Sequence, residues 1–132
     1  MIVLDEQISN QQMIEAIGGW YRGKTATIAQ LRPGTVILDD AIPALLRKES
    51  QAAFLTVNVN DFWRKVKIDH RFCVICFAGD DVYRFPALLK ALFRKPQFKN
   101  RKQRAGHVFR ITPDGTTQFY HCNNREIRRF QL

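Results

Sequence analysis

Three short apolar runs, residues 2–4, 52–57 and 72–78, are separated by stretches whose apolar positions recur at helical spacing, and this alternation limits the fold more than any other feature. An unbroken apolar run of strand length reads as a strand buried on both faces. Between the runs, Met13, Ile14 and Ile17 precede Gly18-Gly19, with Ser9 or Asn10 available as a cap. Ile42, Leu45 and Leu46 share a second helical face that has Pro43 in its first turn and Arg47-Lys48 in its last. Leu88, Leu89, Leu92 and Phe93 after Pro86 make a third. Residues 25–28 offer a further strand. Strands alternating with helices predict βαβ units and a mostly parallel sheet. Residues 107–111 and 117–121 flank a Thr-Pro-Asp-Gly-Thr turn and are expected to form a C-terminal β-hairpin. No internal repeat or linker interrupts the chain, so one α/β domain over residues 1–132 is expected.

Charge is unevenly placed. Residues 1–80 carry nine Lys/Arg and nine Asp/Glu, whereas residues 81–132 carry twelve and three, so the whole net charge of +9 lies in the last third. Arg94, Lys95, Lys99, Arg101, Lys102 and Arg104 crowd into eleven residues with no apolar period. Clustered cations suit a polyanion, because each neutralised phosphate releases counterions. A solvated basic face that keeps the protein soluble is the plainer alternative. Three cysteines in a chain long enough to bury a core argue against a secreted disulfide scaffold. No apolar run reaches the length of a membrane span or signal peptide, and the cytoplasm is the expected compartment.

Acids recur where an α/β sheet can gather them. Asp5 follows the first strand, Asp39 precedes the second helix and Asp61 follows the strand ending near Val57. Open α/β sheets bind ligands at the carboxyl ends of their strands. Such carboxylates can hold Mg²⁺ or Mn²⁺, hard cations that prefer oxygen. Acids in these positions also cap helices, and Asp39 reads equally as a cap.

Three segments carry a resemblance: V-L-D-E-Q at 3–7, D-D-A-I-P-A-L-L at 39–46 and F-L-T-V-N-V-N-D-F at 54–62. In order and approximate spacing, over roughly the first 80 residues, they resemble small bacterial proteins of the PIN-like superfamily, which open on L-D-E-N and continue to T-x-D-x-D-F. The resemblance implies a PIN-like α/β/α sandwich and a Mg²⁺- or Mn²⁺-dependent ribonuclease, often the toxin of a toxin–antitoxin pair. It implies that Asp5 is the central metal ligand and Asp39 the second acid, that Thr56 orients its strand's exit, and that Glu6 matches the motif's glutamate. Asp40 rivals Asp39 for its role. This chain departs from the pattern in the third motif, where Asn58 and Asn60 replace aspartates and Asp61 lies one position later. An amide oxygen can still coordinate a cation, as Asn58 would, but each replacement removes a negative charge. Either the site is weakened, leaving a nucleic-acid-binding module, or a one-residue bulge brings Asp61 into place. The expected partners are RNA, an acidic antitoxin and a second copy of the chain; a membrane is not among them.

Other chemistry is less favoured. On a strand, Cys73 and Cys76 point to opposite faces, which is poor geometry for one zinc ion. Adjacent His121 and Cys122 face apart for the same reason. Trp20, Tyr21, Trp63 and Tyr83 can stack on unpaired bases, although packing at the core rim is the plainer role.

Overall fold

The computed structural model describes residues 1–34 and 37–132. Seven strands form one sheet: β1 (Ile2–Leu4), β2 (Thr25–Thr27), β3 (Ala52–Thr56), β4 (Phe72–Phe77), β5 (His107–Ile111), β6 (Thr116–His121) and β7 (Asn124–Gln131). Their spatial order is β2-β1-β3-β4-β5-β6-β7, parallel from β2 through β5 and antiparallel from β5 to β7. Between them lie α1 (Gln11–Gly18), α2 (Ile28–Leu31), α3 (Ile42–Leu46), α4 (Val59–Phe62), α5 (Phe85–Arg94) and α6 (Arg101–Arg104).

The apolar runs become strands because both sides of the sheet are covered there. On one side Leu4, Leu55, Ile75 and Phe109 meet Met13 and Ile17 of α1 and Leu89 and Leu92 of α5. On the other, Val3, Phe54 and Val74 meet Ile28, Ile42, Leu46 and Phe62. Cys73 belongs to the first side and Cys76 to the second, as strand alternation requires. Phe54 is fully enclosed and stacks obliquely on Phe62, so Phe54→Ala would cost about 3–5 kcal/mol.

Local chemistry sets the ends. Asn10 caps α1 by accepting the Met13 amide, and Thr27 ends β2 by capping α2, so Ile28 is helical where the sequence suggests strand. Asp39 caps nothing: a 3-10 turn at Asp39–Ala41 leads into α3, whose Pro43 has no N–H to be capped. The basic stretch is neither loop nor frayed end, because Asn100 and Gln103 form a capping box that starts α6. Gly106, at φ 86, then turns the chain into β5 where a side chain would strike His121.

The order of the strands places the carboxylates. The chain leaves β1 for β2 on one flank and returns to β3 on the other, so the order reverses at the carboxyl ends of β1 and β3, where such sheets bind ligands. The crossovers from β3 to β4 and from β4 to β5 also advance in one direction over opposite faces, the first past Phe62 and the second through α5. They therefore have opposite hands, although one hand dominates in most proteins. α5 lies beside α1, so it does not cover the other face of β6 and β7; there Trp63 packs over Tyr120, and among the described residues β7 is exposed along nearly its whole length.

Candidate functional site

At the order reversal, three carboxylates and two neutral partners come together. Asp5 is buried to 8% exposure directly after β1, and its Oδ1 accepts the Glu6 amide. Its Oδ2 accepts the Thr56 hydroxyl at 2.6 Å, and the Thr56 oxygen in turn accepts the Asn58 amide at 3.0 Å. The Asn58 side-chain Nδ2 donates to Asp39 Oδ2 at 3.2 Å and to Asp61 Oδ2 at 2.8 Å. A continuous path of hydrogen bonds therefore runs from Asp5 through Thr56 and Asn58 to Asp39 and Asp61.

Asp61 reaches this group without a bulge. Asn58 stands at the start of α4 and Asp61 lies three residues on, the spacing that puts two side chains on one face of a helical turn. Desolvation, reinforced by the charges of Asp5 and Asp61, raises the Asp39 carboxyl above its ordinary range. Asp40 acts on Asp39 by its charge, and among the described residues it makes no hydrogen bond to the group. Glu6 is exposed, and among the described residues its side chain bonds to none of the others; Asn60 is likewise exposed and outside the path.

A cleft of about 670 Å³ opens beside the carboxylates, between α3 and the α4 segment. Asp39, Asp40 and Asp61 form its acidic end, Lys65 and Lys67 contribute cations, and Leu38, Pro43 and Phe62 supply apolar walls. The two lysines are not part of any sequence motif; only their place four and six residues beyond Asp61 could have marked them.

All-oxygen donors that repel one another suit a hard divalent cation. As arranged, the Asn58 amide hydrogens hold Asp39 and Asp61, and among the described residues no three His, Cys, Asp or Glu side chains already converge on one point. Accepting an ion requires Asn58 to withdraw its NH₂ group.

The basic segment does not form one patch. Arg94, Lys99, Arg101 and Lys102 are exposed, but Lys95 turns to β7, donating to the Gln131 carbonyl at 3.2 Å with its ammonium 5.1 Å from the Phe130 ring. Arg104 is buried at 6% exposure, stacked 3.7 Å from the Phe93 centroid and donating to the Phe98 carbonyl. The segment lies away from the carboxylates. Arg101 and Arg104 act on the Met1 amine at the amino end of β1, and the Gly106 amide bonds to Phe72 at the start of β4, whereas Asp5 follows the carboxyl end of β1.

The aromatic candidates pack. Trp20 and Tyr21 meet Phe93 edge-on at 5.7 and 6.1 Å, and Trp63 meets Tyr120 at 5.2 Å. Tyr83 alone is exposed, at 71%. Among the described residues no helix is long and apolar enough to cross a membrane. Compared with known proteins, the chain matches no family model, no curated protein and no solved structure.

Proposed function

We propose that the chain is a PIN-like, divalent-metal-dependent ribonuclease acting in the cytoplasm, with Asp5, Asp39 and Asp61 as its acidic centre. The observation that carries this reading is the hydrogen-bonded path joining those three acids at the order reversal of the sheet. Asp5, Asp39 and Asp61 would hold Mg²⁺ or Mn²⁺, which would supply a water of lowered pKa and offset charge on a phosphate. Thr56 fixes the orientation of the Asp5 carboxylate by donating to it. Lys65 and Lys67 line the same cleft and attract the phosphodiester backbone, a contact that positions RNA without reading its sequence. An acidic antitoxin would compete for the same basic surface, and its pairing with this chain belongs to the same proposal.

One observation favours a second reading, a nucleic-acid-binding module without catalysis. Asn58 donates to both Asp39 and Asp61 with its own NH₂ group, so the two carboxylates have a hydrogen-bond partner where a cation would otherwise stand.

Calorimetric titration of Mn²⁺ into the wild type and Asp5→Asn, paired with cleavage of a single-stranded RNA, separates the two. The ribonuclease reading expects binding and cleavage by the wild type, and loss of both in Asp5→Asn with RNA affinity retained. RNA binding that needs no metal and survives Asp5→Asn, with no Mn²⁺ uptake by either protein, establishes the second reading instead.

A further inference from the structure

The face of β5, β6 and β7 opposite α5 carries arginines in register. Thr56, Cys76, Arg110, Gln118 and Arg129 are successive lateral partners across β3, β4, β5, β6 and β7, so their side chains share one side of the sheet. With strands about 4.8 Å apart, Arg110 lies about 10 Å and Arg129 about 19 Å from Thr56 along that row. Beside the row, the guanidinium groups of Arg64 and Arg125 lie 4.6 and 4.8 Å from the centroid of the Tyr120 ring. Each donates to the other's backbone carbonyl, at 3.1 Å in both directions. The Tyr120 hydroxyl donates to the Trp63 carbonyl at 2.5 Å and anchors the ring between them.

Two like charges are thus held against one ring by neutral groups. Among the described residues the ion pairs are Arg47 with Asp69 and Arg71 with Asp69, so Arg64, Arg110, Arg125 and Arg129 have no carboxylate partner. Arg64, Arg125 and Arg129 are exposed, and among the described residues Arg129 finds no hydrogen-bond partner for its side chain. Guanidinium groups present several donors in a fixed plane that matches phosphate oxygens, and the carbonyl bonds leave most of those donors open.

We propose that this sheet face binds the phosphate backbone of single-stranded nucleic acid, with Arg64 and Arg125 as a fixed clamp, Arg129 on the edge strand beside it and Arg110 extending it toward Thr56. The surface is the substrate platform of the proposed ribonuclease, and it rests on that reading for the identity of the polyanion. Tyr120 is buried beneath the clamp, so the contact is to phosphate and tolerates any base sequence.

Fluorescence anisotropy of a labelled 12-nucleotide RNA, in EDTA to suppress any cleavage, tests it on three proteins: Arg64→Gln/Arg125→Gln, Arg110→Gln/Arg129→Gln and, on the basic helix α6, Arg101→Gln/Lys102→Gln. Each sheet pair is expected to weaken binding at least tenfold and to flatten the log affinity against log salt line by about 1.4, the loss of two phosphate contacts on a single strand. The α6 pair is expected to leave both nearly unchanged. The exposed, unbonded Arg129→Glu guards against a folding artefact, with a thermal melt matching the wild type and weaker binding expected. Loss of affinity in the α6 pair alone overturns the proposal, as does wild-type protein that binds an acidic polypeptide but no RNA. Mn²⁺ titration of the sheet variants keeps the two readings apart. Metal uptake with RNA binding indifferent to these arginines sinks the platform and spares the ribonuclease; arginine-dependent RNA binding without metal uptake does the reverse.

Discussion

The Thr56 hydroxyl is the only side-chain donor to the buried Asp5 carboxylate among the described residues, and the same oxygen accepts the backbone amide of Asn58. One atom therefore secures both the central acid and the start of α4. Thr56→Val removes it while preserving shape, leaving a buried carboxylate oxygen and an amide without partners. The expected loss is about 1–3 kcal/mol in urea denaturation, with Thr56→Ser recovering most of it.

Asp39 gives a pH signature. Its carboxyl titrates above the ordinary 3.8 because of desolvation and the charges of Asp5 and Asp61. The folded state thus holds a proton that the unfolded chain has released. The stability this confers is complete below the unfolded value and is lost as pH rises through the folded one. At neutral pH the ionised group opposes folding, so Asp39→Asn is expected to raise the melting temperature at pH 7 and to leave it unchanged at pH 3. A melt series from pH 3 to 7 that gains nothing from the substitution at the upper end refutes this account of the cluster.

Arg104 is a structural cation. Burial lowers the affinity of its guanidinium for a proton, its Nε finds no partner among the described residues, and its plane covers Phe93. Arg104→Lys gives up the flat stacking surface and concentrates the charge, with an expected cost of about 1–3 kcal/mol. Arg104→Met keeps apolar volume and removes the buried charge, so it is expected to be the more stable of the two in chemical denaturation. Neither change should alter the salt dependence of nucleic-acid binding.

The thiols differ in access. Burial pushes Cys73 and Cys76 up to about 12, and both lie within the sheet. Cys122 is partly exposed, its thiol raised mainly by desolvation. Native protein at pH 8 is expected to release one equivalent of chromophore from an aromatic disulfide reagent, slowly, and three after denaturation; rapid reaction of a second thiol would show that the sheet opens locally.

The inner strands were legible because parallel strands buried on both faces are written as unbroken apolar runs, and Ile2–Leu4, Ala52–Thr56 and Phe72–Phe77 fall within the runs. Asp5, Asp39 and Asp61 were legible as carboxylates at element ends, and the fold brings them to one path. β7 was not legible, since an exposed edge strand of sequence Asn-Arg-Glu-Ile-Arg-Arg-Phe-Gln has no apolar alternation to read. The burial of Arg104 was hidden by its charge, which gives no sign of the aromatic ring beneath it. Arg110 had a weak signal, a cation alternating with Val108 on a strand, but Arg64 gained its meaning only from the ring it shares with Arg125.

β7 ends the sheet, and a bare strand edge invites pairing with an identical strand from another molecule unless something opposes it. Laying two β7 edges together crowds Arg125, Arg128 and Arg129 of one molecule against the same residues of the other. Self-association is thereby governed by ionic strength: the repulsion reaches about 10 Å in 0.1 M salt and shrinks as salt rises. Anything polyanionic that cancels these charges also removes the barrier, so molecules held apart in dilute solution can meet edge to edge once they share one strand of nucleic acid.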